Sequence, residues 1–226
     1  MKVRDLRRRW KPTKERLVRV QRNGVEHPLP IRIHRALSWL EAAENDAAPM
    51  RLDQRLVSLW ISVNALYGRW DAQRCEPLAD GVALRQFLDK VSKLDRDQVL
   101  MRLLNHCRPD VERLMADKFL NNRLWSRAVE RLDEREDSRV MQVRQWYTDG
   151  AWKAVLRAVM DRIYFVRCQL VHGAATHRSK LNREAVSRST ALLDPLVRTF
   201  VLVVVDHGLT TDWGDLCYPP ISAERR

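Results

Sequence analysis

Glycine and proline are scarce in this 226-residue chain, which contains seven Gly and nine Pro. Tight turns depend on these residues, so a many-stranded sheet would lack the turns that it needs. The four cysteines, Cys75, Cys107, Cys168 and Cys217, lie far apart without a Cys-x-x-Cys pair. Their spacing argues against a structural zinc site or a dense disulfide framework, and it favours reduced thiols.

Long hydrophobic runs are also missing. The longest clearly apolar run, Phe200 to Val205, is far shorter than the ~20 residues of a membrane-spanning helix. The first residues contain no apolar core of the kind found in signal peptides. We therefore expect a soluble, cytoplasmic protein with no membrane partner.

Positive charge is abundant, with 41 Lys and Arg against 29 Asp and Glu, a net charge of +12 and a pI near 10.1. Such a balance favours polyanionic partners such as nucleic acid, acidic proteins or an anionic surface. The first 22 residues carry ten basic residues and only two acidic ones. We expect this segment to grip phosphates through Arg7, Arg8 and Arg9, although a solvated basic tail would have the same composition.

Apolar residues recur at helical spacing from residue 30 onward, which predicts an all-α domain over residues 30–208. Residues 1–29 are expected to form a basic arm or a small β-hairpin turning at Asn23-Gly24. A charged helical insertion is expected near 121–149, and a loose C-terminal tail over 209–226. Two long helices should end the domain, one from about Trp152 to His172 and one from about Asn182 to Gly208.

An Arg and a His stand five positions apart at Arg167 and His172, where the first of these helices ends. Spacing alone proves little in an arginine-rich chain, and Arg22 and His27 form a second such pair across the Asn23-Gly24 turn. Arg167 differs because it lies beside a small apolar strip formed by Met160, Tyr164 and Val171. Two structural alternatives stay open: Arg167 paired with a carboxylate such as Asp161, and His172 interacting with the helix dipole.

Two blocks of the sequence resemble bacterial proteins of the HEPN superfamily, in its Apea-like branch. They are Ser58–Tyr67, read as SLWISVNALY, and residues 166–183, read as VRCQLVHGAATHRSKLNR, which holds the family's Arg-x4-His motif. The resemblance implies a compact helical bundle that dimerises, so that Arg and His from both protomers line one cleft. It also implies a metal-independent, cofactor-free endoribonuclease, often a toxin or an antiphage effector, with Arg167 and His172 as catalytic residues.

The chain departs from the family pattern at two positions. Cys168 stands where the family often has Asn, and Ala174 stands in place of a second Gly after the His. The alternative function is therefore a non-catalytic HEPN module that binds RNA, a nucleotide or a partner protein, for example an antitoxin or a nucleotidyltransferase.

The chemistry of RNA suits this pair of residues, because RNA carries its own nucleophile in the 2′-hydroxyl. Imidazole titrates near neutral pH and can move the proton, while guanidinium stays charged and can grip phosphate. Five positions on one helix separate the side chains by about 140° and roughly 7.5 Å. We therefore expect a homodimer with a composite site at the Met160, Tyr164 and Val171 strip. We also expect Lys180 and Arg183, which follow the motif, to contact RNA.

Overall fold

The computed structural model describes residues 1–20, 27–46, 51–117, 120, 132–174, 176–177, 180 and 182–218. These residues form an all-α helical bundle with one very small sheet, which confirms the predicted fold class. The described chain contains nine helices: α1 (Val3–Val20), α2 (Pro28–Asn45), α3 (Leu52–Tyr67), α4 (Asp80–Leu94), α5 (Val99–His106), α6 (Arg108–Met115), α7 (Leu132–Thr148), α8 (Trp152–Val171) and α9 (Arg183–His207).

The centre of the bundle is α3, which packs between α2 and α9. Trp60 is 1% exposed, and its ring lies 5.6 Å from Tyr164 of α8 and 6.5 Å from Tyr67. Phe87 of α4 contacts Phe200 of α9 edge to face at 5.5 Å. These aromatic side chains bury large apolar areas and join four helices into one core.

The N-terminal segment is a helix and not a flexible arm. Its apolar residues recur on one face, where Val3, Leu6 and Trp10 are buried, because this face packs against α2 and α9. The pattern was hidden by the surrounding arginines. The predicted hairpin is wrong for residues 16–20, which are helical, and its Asn23-Gly24 turn lies outside the described residues.

The two short strands occur elsewhere, as β1 (Trp70–Asp71) and β2 (Glu76–Pro77), paired antiparallel with Trp70 opposite Pro77. Arg69 also forms a single bridge with Leu216 near the C-terminus. This bridge belongs to a segment, residues 209–218, that was predicted to be a loose tail.

Residues 209–218 are held against the bundle, so the prediction of a loose tail is wrong for them. Trp213 is 5% exposed and its ring lies 6.0 Å from Phe87. Arg32 of α2, 1% exposed, donates hydrogen bonds to the carbonyl groups of residues 213, 214 and 215, and of Leu66 and Gly68. One buried guanidinium thus joins α2 to the end of α3 and to the C-terminal segment.

A charged helical insertion was predicted near residues 121–149. The structure describes this segment from residue 132 onward, where it forms α7. Its helical character is as predicted, but it is not simply exposed. Val143 is buried, and the Tyr147 hydroxyl donates to the Leu104 carbonyl at 2.9 Å. α7 consequently forms one wall beside α6 and α8.

The last two helices match their predicted bounds within two residues, and α9 continues as one helix through Pro195. Within the described ranges, no helix has the length and apolar character needed to cross a membrane.

Candidate active site

The C-terminal end of α8 carries the Arg-x4-His motif. The Ala174 N–H donates to Gln169 O at 2.9 Å and the Gly173 N–H to Leu170 O at 3.4 Å. This pattern of bonds closes a helix by means of a left-handed residue, and Gly173 supplies it with a φ of +71°. Gly173 is the stop that the sequence predicts. His172 caps the helix, and its side chain is exposed to solvent.

Arg167 lies one turn earlier and is half-buried. Its guanidinium carbon lies 5.9 Å from the centre of the Tyr164 ring, and Nη1 lies 3.8 Å from Cys168 Sγ. Asp161, the carboxylate considered as its partner, makes no ion pair with it. Within the described part of the chain, no carboxylate oxygen lies within 4.0 Å of the Arg167 guanidinium, so its charge stays available to a ligand.

The nearby carboxylate of Asp80 is already engaged. The Tyr67 hydroxyl donates to Asp80 Oδ1 at 2.6 Å, and burial together with Asp80 raises the pKa of Tyr67, while the Arg167 charge opposes that rise. Burial, and then the neighbouring Cys168, also raise the pKa of Tyr164. Both phenols therefore stay neutral beside Arg167 at physiological pH.

The predicted dimer strip is only partly available. Met160 is fully buried in the core, so its assignment to a dimer interface is wrong: α8 is covered by other helices on this side. Tyr164 is half-buried against Trp60. Val171 is 51% exposed, directly beside His172, and can contact another protein.

The residues predicted to bind RNA do not form one cluster. Arg7 pairs with Glu41 at 2.8 Å, and Arg9 pairs with Asp206 at 2.6 Å, so these two side chains fix α1 to the bundle. The Arg8 side chain is 86% exposed and comes no closer than 4.0 Å to Asp5. Of the three, Arg8 keeps the most freedom to meet a phosphate.

The other two predicted RNA contacts lie at the opposite end of α9. Lys180 is exposed, but Arg183 Nη2 donates to both carboxylate oxygens of Asp53 at 3.0 Å, and His177 Nδ1 lies 3.5 Å from the same carboxylate. Residues 183 and 206 are 23 positions apart on α9, about 35 Å at 1.5 Å per residue. The Arg7–Arg9 segment and the Arg183 end are therefore separate surfaces.

A groove along α8 was not foreseen from the sequence. It encloses about 840 Å³ between α4, α6, α7 and α8, and Tyr164 and Cys168 line the end nearest Arg167. Its wall on α8 repeats at helical spacing, with Ala154, Ala158 and Phe165 among its members. The repeat is visible in the sequence. Whether neighbouring helices cover this face of α8 or leave it open depends on how they pack.

Comparison with protein-family models, curated proteins and solved structures finds no match to this chain. The resemblance to the HEPN superfamily accordingly rests on the two sequence blocks. In the described ranges, no three His, Cys, Asp or Glu side chains are grouped so that they could hold a metal ion.

Proposed function

We propose that this protein is a metal-independent endoribonuclease of the HEPN type, with Arg167 and His172 as its catalytic residues. The main support is the state of Arg167, a half-buried guanidinium that lacks a carboxylate within ion-pair distance in the described chain and lies one turn before an exposed histidine. The half-buried Arg55, Arg157 and Arg198 have carboxylate partners in this fold, and the half-buried Arg35 donates to backbone carbonyl groups. In the described chain, Arg167 shares the lack of such partners with Arg139, but of the two only Arg167 lies beside an exposed histidine at a helix end.

The chemistry needs only these two groups and the substrate. His172 acts as the general base and takes the proton of the 2′-hydroxyl as O2′ attacks phosphorus. The P–O2′ bond forms, the P–O5′ bond breaks, and the leaving O5′ takes a proton from water. Arg167 stabilises the charge that develops on the non-bridging oxygens. The products are a 2′,3′-cyclic phosphate and a 5′-hydroxyl, and His172 returns its proton to solvent.

The active form in this proposal is a homodimer. Arg167 and His172 point in directions about 140° apart around α8, so one protomer does not easily present both to one phosphate. A two-fold axis near the exposed Val171 would bring Arg167 of one protomer to His172 of the other.

Cys168 favours a second candidate function. Its sulfur lies 3.8 Å from the Arg167 guanidinium, and a thiol is a weaker hydrogen-bond partner than an amide. A non-catalytic module would bind RNA, a nucleotide or a partner protein such as an antitoxin through the same surface. If the protein is the endoribonuclease proposed above, its cellular role would be that of a cytoplasmic toxin or antiphage effector.

The test is gel analysis of total RNA and of a synthetic RNA, each incubated with the purified protein in the presence of EDTA. We expect cleavage by the wild type and a loss of about 10²- to 10⁴-fold in Arg167→Ala and His172→Ala. Arg102→Ala and His106→Ala are matched controls, because both side chains are exposed on α5 and His106 also lies near a helix end. Their activity should be unchanged.

Two further measurements sharpen this test. RNA with every 2′-hydroxyl methylated should resist cleavage, and its cleavage would refute the mechanism. Mixing the two inactive variants should restore about a quarter of the wild-type activity, since half of the dimers are mixed and each of these has one intact composite site. RNA binding without cleavage by the wild type would identify the non-catalytic module instead.

A further inference from the structure

The α8 groove has the side chains of a nucleic-acid site. Trp146 of α7 and Phe165 of α8 line it, and both are half-buried. A planar side chain exposed in a groove offers a surface on which a base can stack, and such stacking works for every base.

The cations of the groove fall into two groups. Arg157 is paired with Asp89 at 2.5 Å, and Arg162, 4% exposed, donates to the carbonyl oxygens of Met115 and Asp117. These two side chains hold helices together. Arg85 and Arg139 also line the groove, and neither forms an ion pair within 4.0 Å in the described chain, although the Asp161 carboxylate acts on both charges from a longer distance. Neither guanidinium is held in a close pair, so both can meet a phosphate.

The groove leads to the candidate active site. Its α8 wall runs from Ala154 to Cys168, 14 positions or about 21 Å along the helix. Cys168 at the end of this wall lies 3.8 Å from the Arg167 guanidinium. A polymer lying in the groove would therefore pass next to Arg167.

We infer that the α8 groove binds unpaired nucleotides of RNA. Bases stack on Trp146 and Phe165, and phosphates pair with Arg85 and Arg139. A duplex does not suit these contacts, because its bases stack on each other and leave no face for the aromatic rings. This inference rests on the proposed function, since the groove would carry the same strand that Arg167 and His172 cut.

Asp161 gives the inference a test that misfolding cannot imitate. Its carboxylate lines the groove, and the charges that act on it are those of Arg85, Arg157 and Arg139. A carboxylate repels phosphate, so Asp161→Asn should strengthen RNA binding. A damaged fold would weaken it.

The experiment measures fluorescence anisotropy of a labelled, unstructured RNA hexanucleotide that is fully 2′-O-methylated and therefore cannot be cut by 2′-hydroxyl attack. Arg85→Gln and Arg139→Gln should each raise the Kd about tenfold, and each should lower the salt dependence of binding by about one ion. Asp161→Asn should lower the Kd roughly threefold. Arg102→Gln, an exposed arginine outside the groove, is the control and should leave the Kd unchanged.

Competition identifies the ligand. Unlabelled single-stranded RNA should displace the probe. If duplex RNA, adenosine monophosphate or polyglutamate displaces it equally well, the inference is wrong. Unchanged Kd values in the groove variants would also refute it, even if Arg167→Ala still abolishes cleavage. Conversely, groove-dependent binding by a wild-type protein that cuts no RNA would support the groove and refute the proposed nuclease.

Discussion

Replacing Arg32 by Met should destabilise the protein by about 3 kcal/mol. The two terminal nitrogens of Arg32 donate to five carbonyl oxygens, at distances from 2.5 to 3.3 Å. These nitrogens carry four N–H groups, and hydrogen bonds from a charged donor contribute about 1.5 kcal/mol each, which amounts to roughly 6 kcal/mol.

Burying the charge offsets part of that gain. Burial lowers the pKa of Arg32 well below its ordinary value, to about 10, and at 1.36 kcal/mol per pH unit this difference corresponds to a cost of about 3 kcal/mol. The net contribution is therefore about 3 kcal/mol. Methionine keeps most of the apolar stem of the side chain, so the substitution removes mainly the donors and the charge.

Urea unfolding followed by circular dichroism measures this loss, and tryptophan fluorescence should also report exposure of Trp213, whose carbonyl Arg32 holds. Arg35→Met is the matched control. Arg35 donates to the Cys217 and Tyr218 carbonyls of the same segment but is only half-buried, so its loss should cost less than about 1 kcal/mol. A loss below 1 kcal/mol in Arg32→Met would refute this account of the C-terminal segment.

Two further predictions concern α8. Gly173→Ala should lower the free energy of unfolding by about 1 kcal/mol in urea, because its φ is +71° while no atom lies within 4 Å of the added Cβ. The control, Gly81→Ala on α4, has its nearest atom at 4.0 Å and should be neutral or stabilising. Equal losses in the two variants would contradict the role of Gly173 as the helix stop. Desolvation in the groove raises the pKa of Asp161 above its ordinary 3.8 although three arginines oppose the rise. Because the residue is exposed, Asp161→Asn should increase the free energy of unfolding at pH 7 only slightly. That increase should shrink as the pH falls through the folded-state pKa and vanish below pH 3.8; a decrease at pH 7 would contradict it.

Helical spacing and stop signals made much of this fold predictable. The apolar repeat of α8 and the glycine that follows it located the end of the helix within one residue. The same reasoning failed for α1, where Leu6 and Trp10 lie among arginines whose partners, Glu41 and Asp206, are distant in the sequence. From the sequence alone, a run of charged residues is read as a solvated segment, because the distant carboxylates that pair with it cannot be identified.

The candidate site shows the same division. The end of α8, with exposed His172 and its stop at Gly173, follows from local backbone preferences. Burial of Met160 and the opening of the α8 groove do not, because they depend on which neighbouring helices cover each side of α8.

Most of the helices, α1 excepted, and the end of α8 follow from the local sequence, since both depend on residues within a few positions of each other. Which arginines are available to a ligand depends on how the whole chain packs. Arg9 is neutralised by a carboxylate 197 positions away, whereas Arg167 has none within 4.0 Å in the described chain. Charge pairing depends on distance in space, and packing sets that distance.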